Sequence, residues 1–180
     1  MQTVVPVFAC PSQPESDQLH FTHQGIPVAN TSYLGVMGTN WETTDGVLFL
    51  DSAIRTAEIT DGTSHTLLTG ERPPSPDYWY GWWYAGLGQQ YTGSLDMLLG
   101  ARETKAPKFE GQGDYLDACP DGPYQFQPGS SGEMCDTFHF LSYHPGGAVS
   151  GRWDGSVQLL AYSADTILPA LATRSSGEVE

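Results

Sequence analysis

The amino-acid sequence predicts one α+β domain over residues 1–180, in which an antiparallel sheet carries long loops and short helices. A chain of this length most simply forms one domain with a sizeable core. The 21 glycines, 13 prolines and 12% aromatic residues are typical of a loop-rich β protein and not of a helical bundle. An Asp-Gly pair at 154–155, between two apolar segments, predicts a β-hairpin.

The charge balance limits the classes of partner. Seven basic and 21 acidic residues give a formal net charge of −14. Nucleic acids and anionic membranes need clustered lysine and arginine, so the sequence predicts neither as a partner. The charge is compatible with a surface protein or with a protein that holds a divalent cation. No apolar run approaches the ~18 residues of a membrane span, and no signal peptide is visible.

The first half of the chain predicts an extended lead-in and three short strands. Residues 1–14 are apolar and then proline-rich, as in an extended segment. Strands are predicted at residues 32–37, 46–50 and 66–69, with a helical turn at 54–59. The last strand runs into Glu71-Arg72, which either bridges the sheet to a neighbouring loop or forms a surface ion pair of less than ~1 kcal/mol.

The aromatic segment Tyr78–Tyr84 has the most unusual composition in the chain. Six of its seven residues are aromatic, so a strand here would carry rings on both faces. One face would belong to the core. The other either packs against loops or forms a platform for sugars, and the candidate binding residues are Trp79, Trp82, Trp83 and Tyr84.

Residues 86–137 form a long insertion with weak periodicity. Leu95 to Leu99 predicts a short helix within it. Asp114, Asp117 and Asp121 cluster near Cys119 and are candidate oxygen ligands for calcium, although their spacing matches no calcium-loop template.

The cysteine count is odd. Cys119 and Cys135 bracket a loop rich in glycine, proline and serine, which makes a disulfide plausible in an exported protein. Closing a loop of that length contributes roughly 3 kcal/mol. Cys10 is left over, either as a buried free thiol or as a residue whose partner precedes the chain.

The C-terminal part predicts a strand, a corner, a hairpin and a helix. Residues 137–143 alternate as a strand does, and Pro145-Gly146-Gly147 then places His144 at a corner. The hairpin is predicted to turn through the two residues Asp154-Gly155, with Trp153 paired with Ser156. A helix is predicted at 165–173, with Asp165 as its N-cap.

His144 and Asp154 allow two interpretations. Both are structural if the histidine binds a carbonyl and the aspartate binds its own turn. Alternatively they form a catalytic pair, but no serine or cysteine nucleophile stands in a recognisable setting beside them.

The spacing His144-x9-Asp154-Gly155 resembles the signature of the planctomycete family of prepilin-like surface proteins, the His-x9-Asp-Gly proteins. Further segments resemble blocks of that family, in family order and over nearly the whole chain; they are residues 8–12, 32–35, 59–68, 70–74, 81–86 and 171–174. His65 stands where the family more often has asparagine. Family members resemble type IV pilins and type II secretion pseudopilins, with a cleaved leader, a long hydrophobic N-terminal helix and a β-rich head.

The resemblance implies a pilin-like head lacking its N-terminal helix. It implies an extracytoplasmic, non-enzymatic surface protein that forms or decorates a filament or a secretion apparatus and meets the membrane only through a helix upstream of Met1. The expected partners are further copies or other pilin-like subunits. No cofactor is expected, and calcium is the one candidate ion, because some pseudopilins bind it in this part of the head. An apolar strip left by the helix would be covered in part by residues 3–8 and in part by weak self-association.

Two alternatives come from other functional classes. One is a carbohydrate-binding head that uses the aromatic segment. The other is a hydrolase that uses His144 with a carboxylate such as Asp154 or Glu71. Exposed tryptophans would favour the first, and a pocket that joins His144 to a carboxylate at hydrogen-bond distance would favour the second.

Overall fold

The computed structural model describes residues 1–84, 86–107 and 115–177, which form two sheets. The small antiparallel sheet pairs β1 (His20–Phe21) with β2 (Pro27–Val28). The main sheet has five strands in the order β5-β3-β4-β6-β7. These strands are β3 (Tyr33–Val36), β4 (Leu67–Glu71), β5 (Leu98–Leu99), β6 (Gly147–Arg152) and β7 (Val157–Ala161).

The main sheet is mixed, so the prediction of a purely antiparallel sheet is wrong at one edge. Strands β3, β4, β6 and β7 are antiparallel to their neighbours, but β5 runs parallel to β3, with Gly35 opposite Leu98. The predicted helix at 95–99 is also wrong. Leu95 has a φ of +73°, which no right-handed helix allows, and its N–H donates to Leu98 O at 2.9 Å. A short apolar run is ambiguous between helix and strand.

Short helical turns connect the strands. The 3-10 turn Thr56–Glu58 confirms the turn predicted at 54–59. Near the C-terminus the 3-10 helix Tyr162–Ile167 runs directly into α1 (Leu168–Ala172), an 11-residue helical segment. Further 3-10 turns lie at Pro6–Phe8, Gln89–Tyr91, Tyr115–Ala118 and Met134–Phe138. Within the described residues no helix is long and apolar enough to cross a membrane.

Asp165 is not the N-cap of the C-terminal helix, because that helix begins at Tyr162. The carboxylate instead joins the helix to the long insertion. Its Oδ1 accepts from the Phe126 N–H at 2.6 Å and lies 2.9 Å from the Arg102 guanidinium. From the sequence alone, an aspartate that caps a helix is not distinguishable from one that forms a long-range ion pair. The contacts with the long insertion determine the role of Asp165.

Three predicted strands do not form. Residues 46–50 form bends and a turn, and Gly46 packs so close to Gly38 that an added Cβ would lie 2.5 Å from the Gly38 nitrogen. Segment 78–84 bends at Tyr78 and Gly81, whose φ values are +57° and +100°, and keeps only one isolated bridge, Asn30 to Trp82. Residues 137–143 begin inside the 3-10 turn Met134–Phe138.

The predicted hairpin forms, but its loop is one residue longer than predicted. Arg152 N donates to Ser156 O at 2.9 Å and Gly155 N donates to Arg152 O at 3.0 Å, so the loop is 153–155. Gly155 has a φ of +84°, as in a type I turn followed by a glycine bulge. A one-residue change in loop length shifts the strand pairing by one residue, and the side chains that share a face of the sheet therefore change. Ala148 therefore lies opposite Leu160, and both are buried, whereas the predicted register put them on different faces.

The core lies on one face of the main sheet. Leu34, Ala148 and Leu160 point into it from the strands. Aromatic residues of the loops and the apolar side of α1 cover them, namely Phe126, Phe138, Phe140, Leu168 and Leu171. Gly70 lets the Phe140 ring lie against β4, since an added Cβ would come within 2.8 Å of that ring. Phe140 therefore packs directly on β4.

The other face of the sheet is covered only in part. We call Val149, Val157 and Leu159 the open face, because they share one side of β6 and β7. Val157 is 68% exposed and Leu159 is 52% exposed. The lead-in crosses the sheet near the start of β3 and not over the open face. There Phe8 O accepts from Ser32 N at 2.8 Å.

Candidate functional site

A cluster of three potential ligands lies where the lead-in crosses the sheet. The Cys10 Sγ, a Glu71 carboxylate oxygen and a His144 ring nitrogen all lie within 4.8 Å of one another. Cys10 Sγ is 3.5 Å from His144 Nε2, and the same Nε2 is 3.2 Å from Glu71 Oε1. Three segments that are distant in sequence therefore converge on one point.

Strand geometry positions the glutamate of this cluster. Glu71 is the last residue of β4 and lies opposite Tyr33, one register step after the core-facing pair Gly70 and Leu34. Alternation along the strand turns Glu71 away from the core, toward the face that the lead-in covers. Its second oxygen, Oε2, accepts from the Val149 N–H at 2.6 Å. The carboxylate is therefore held in one orientation with Oε1 directed at His144.

Local hydrogen bonds hold the other two members. Cys10 N donates to the Ser32 hydroxyl at 2.9 Å, and Cys10 O accepts from the Ser16 hydroxyl at 2.7 Å. His144 N donates to the Ser142 hydroxyl at 2.9 Å, and that hydroxyl donates to Gly147 O at 2.6 Å. The predicted corner at His144 is thus confirmed as a bend, tied to the first residue of β6.

Burial raises the pKa values of ionisable groups in and beside the cluster. Cys10 and Glu71 are buried, while the His144 side chain is 29% exposed. Burial first, and then contact with Glu71, raises the pKa of the Cys10 thiol. Burial and the neighbouring Cys10 and Glu71 raise the pKa of the Tyr33 phenol to about 12. At neutral pH the protein alone therefore keeps this thiol protonated.

The structure separates the two carboxylates considered as partners of His144. Glu71 lies within hydrogen-bond distance, whereas Asp154 lies beyond the far end of β6. Asp154 Oδ1 accepts from the Ser156 N–H at 2.9 Å and from its hydroxyl at 2.7 Å, which lowers its pKa. Asp154 is thus a turn residue, and a His144–Asp154 pair is not formed.

The aromatic segment packs against itself, against the lead-in and against histidines of the small sheet and its loop. Trp82 stacks on Tyr84 at 5.5 Å, Trp83 meets Tyr84 edge-on at 5.3 Å, and Trp79 meets Trp82 edge-on at 6.0 Å between centroids. Phe8 of the lead-in stacks on Trp83 at 5.7 Å. All four candidate residues are half-buried. This packing favours the structural interpretation, and carbohydrate binding stays a prediction that a glycan array would test.

The predicted calcium ligands are only partly within the described residues. Asp114 lies outside them, and Asp117 belongs to the 3-10 turn Tyr115–Ala118. Asp121 is exposed, and its Oδ1 lies 3.3 Å from the Lys105 ammonium, which also donates to Cys119 O at 2.7 Å. A lysine thus supplies positive charge next to Asp121, and calcium binding here stays a prediction.

The cysteine prediction is confirmed. Cys119 and Cys135 form a disulfide with a sequence separation of 16, and Cys10 is a buried free cysteine. Sequence reasoning found the free thiol but missed its place beside Glu71 and His144; the odd cysteine count was the only signal.

Disulfides persist mainly outside the cytosol, so the bridge suggests an extracytoplasmic protein. The class is therefore a disulfide-bonded, loop-rich domain on a mixed sheet.

The comparisons with known proteins identify the family. Residues 1–166 match the family model described as "Protein of unknown function (DUF1559)", and the chain belongs to this family, the planctomycete prepilin-type family. The resemblance drawn from the His-x9-Asp-Gly spacing is confirmed. No curated protein and no solved structure matches the chain.

Proposed function

We propose that this chain is a pilin-like, non-enzymatic surface protein that forms or decorates a filament or a secretion apparatus. In this proposal the head pairs with a second copy along the edge strand β7, where Val157 and Leu159 of the open face meet their counterparts. Membership of the prepilin-type family supports the general role. The observation that carries the proposal is the apolar, uncharged edge of the main sheet at β7.

Strand β7 carries neither charge nor proline, two features that normally prevent edge-to-edge association. It is the last strand in the sheet order, and its sequence, Val-Gln-Leu-Leu-Ala, contains neither a charged residue nor a proline. Monomeric β proteins protect such edges with lysine, proline or bulges. The absence of charge matters here, because a net charge of −14 otherwise keeps two copies apart.

A second copy fits this edge better than a charged partner does. Two antiparallel β7 strands related by a twofold axis present the same patch to each other, as in an isologous interface. Burial of about 400 Å² of apolar surface would contribute on the order of 10 kcal/mol. Association costs roughly 4–15 kcal/mol, so one such contact gives weak self-association that repetition in an assembly strengthens.

Sedimentation velocity over a range of protein concentrations tests the proposal. We expect the parent chain to associate as its concentration rises and Leu159→Glu to sediment as a monomer. Gln24→Glu is the matched control, because it places the same charge at an exposed position outside β6 and β7. A parent that stays monomeric at the highest concentration, or a Leu159→Glu variant that associates equally, contradicts the proposal.

A further inference from the structure

We infer that Cys10, Glu71 and His144 bind one divalent transition-metal ion of the zinc class. The three residues supply a sulfur, an oxygen and a nitrogen, which is a ligand set that zinc accepts. The inference goes beyond the proposed function, because self-association through the open face does not involve these atoms.

The distances match those between ligands of a tetrahedral site. With a Zn–S bond of about 2.3 Å and Zn–N and Zn–O bonds of about 2.05 Å, tetrahedral angles place S and N about 3.6 Å apart and N and O about 3.3 Å apart. The observed separations are 3.5 Å from Cys10 Sγ to His144 Nε2 and 3.2 Å from His144 Nε2 to Glu71 Oε1. Two of the three ligand pairs therefore already stand at metal-ligand spacing, and the third, from Cys10 Sγ to a Glu71 carboxylate oxygen, lies within 4.8 Å.

One ring nitrogen meets both of the other members of the cluster. Both Cys10 and Glu71 meet the same nitrogen, His144 Nε2. A ring nitrogen either carries a hydrogen and donates it or lacks one and accepts, so Nε2 does not accept from the thiol and donate to the carboxylate at once. The same geometry argues against a Cys-His-Glu catalytic triad, in which base and acid use different ring nitrogens. A metal ion satisfies all three contacts together.

The surroundings provide the support that metal ligands require. Glu71 Oε2 is anchored by the Val149 N–H, which leaves Oε1 for the ion. Gln13 lines the same gap as Cys10 and Glu71, and its buried Oε1 has no hydrogen-bond partner among the described residues. A four-coordinate zinc site with three protein ligands leaves its fourth position to solvent, which here would reach the ion on the exposed side of His144.

Charge balance also favours a divalent ion. When the ion binds, the Cys10 thiol releases its proton to solvent and becomes a thiolate, which is the form that ligates metals. One thiolate, one carboxylate and a neutral imidazole then neutralise a 2+ ion. Thiolate and imidazole ligands select zinc or cobalt over calcium, which prefers six to eight oxygens. The ion would fasten the lead-in to β4 and to the corner before β6.

The experiment uses the whole chain, freed of metal by dialysis against a chelator and then titrated with Zn²⁺ or Co²⁺. We expect one ion per chain, a thiolate-to-cobalt charge-transfer band in the near ultraviolet, and a rise in the melting temperature with Zn²⁺. X-ray absorption of the zinc form should show one sulfur at about 2.3 Å with nitrogen and oxygen at about 2.0–2.1 Å.

Variants assign the ligands. Cys10→Ser should lose the charge-transfer band, and Glu71→Gln and His144→Gln should each weaken Zn²⁺ binding by at least ~10–100-fold. His65→Gln, which changes an exposed histidine, should bind as the parent does. Absence of stoichiometric binding by the parent, or an unchanged band in Cys10→Ser, overturns the inference. If a variant fails to fold, the X-ray absorption spectrum of the zinc-loaded parent decides alone. A spectrum in which no sulfur ligates the zinc overturns the inference.

Discussion

Nε2 of His144 lies 3.2 Å from Oε1 of Glu71, and this contact joins the histidine of the family motif to the end of strand β4. The other end of the motif, Gly155, closes the hairpin loop with a φ of +84°. The His-x9-Asp-Gly spacing therefore marks the two ends of one strand. His144 fixes the corner that enters β6, and Gly155 fixes the turn that leaves it.

Replacement of Gly155 tests the turn. We expect Gly155→Val to lower the free energy of unfolding by roughly 1–3 kcal/mol, because a β-branched residue resists a positive φ. An added Cβ meets nothing within 4 Å, so the cost is conformational and not steric. Gly155→Asn, which tolerates this region, should cost clearly less. Urea unfolding measures both, and a valine variant as stable as the parent contradicts the turn geometry.

Loss of the disulfide should destabilise the chain. The double variant Cys119→Ala/Cys135→Ala should lose about 3 kcal/mol of unfolding free energy, since the bridge closes a loop with a sequence separation of 16. Denaturant unfolding of parent and variant gives the difference. Mass spectrometry of alkylated, non-reduced peptides checks the pairing, and a peptide linking Cys10 to either of the other cysteines within one chain would show it to be wrong.

Glu103 should make stability fall as the pH rises from about 4.5 to about 7. It is buried and accepts hydrogen bonds from Ser94 and Gln89 at 3.0 Å and from the Gly100 N–H at 2.7 Å. Burial nevertheless raises its pKa to about 7 from an ordinary 4.5. Within that window the folded chain keeps a proton that the unfolded chain has lost, and the full effect is on the order of 3 kcal/mol.

The matching experiment compares Glu103→Gln with the parent in urea unfolding between pH 4.5 and 7.5. The variant has no proton to lose at this position, so its stability should decline less with pH. Glu42→Gln, at an exposed carboxylate, is the control and should follow the parent. Asp96, whose pKa burial raises to about 6, acts in the same direction in all three proteins. Equal slopes in parent and Glu103→Gln would contradict the prediction.

Gly70 should tolerate no side chain while Phe140 keeps its ring. An added Cβ would lie 2.8 Å from the ring, so Gly70→Ala should cost about 1–3 kcal/mol by overpacking. Phe140→Leu should recover part of this cost in the double variant, because the smaller side chain leaves room. Gly132→Ala, where the nearest side-chain atom is 3.4 Å away, is the control. Additive effects of the two substitutions would contradict direct contact.

Short sequence patterns correctly predicted those elements of the fold that depend only on residues close together in the chain. The Asp-Gly hairpin, strands β3 and β4, the C-terminal helix and the disulfide all followed from turn residues, short apolar runs and cysteine spacing. The hairpin register did not, because two-residue and three-residue loops both place glycine near the tip. The strand expected at 78–84 failed because Tyr78 adopts a positive φ, which propensity does not foresee.

The candidate site was harder to predict, since its members meet only through long-range packing. His144 and Glu71 were each noted, and Glu71 was one of two possible acids for His144. Nothing local links Cys10 to either residue. Their meeting depends on the path of the lead-in across β3, where Ser32 accepts from the Cys10 N–H and donates its own N–H to Phe8 O.

Hydrogen exchange of residues 157–161 tests the proposed assembly most directly. Strand β7 is at the edge of the sheet, so a second copy paired along it should protect those of its amides that point away from β6 as protein concentration rises. We predict slower exchange of this segment in concentrated parent protein, unchanged exchange of the turn Thr56–Glu58, and no concentration dependence in Leu159→Glu. Equal exchange of residues 157–161 in dilute and concentrated parent protein would contradict self-association through this face.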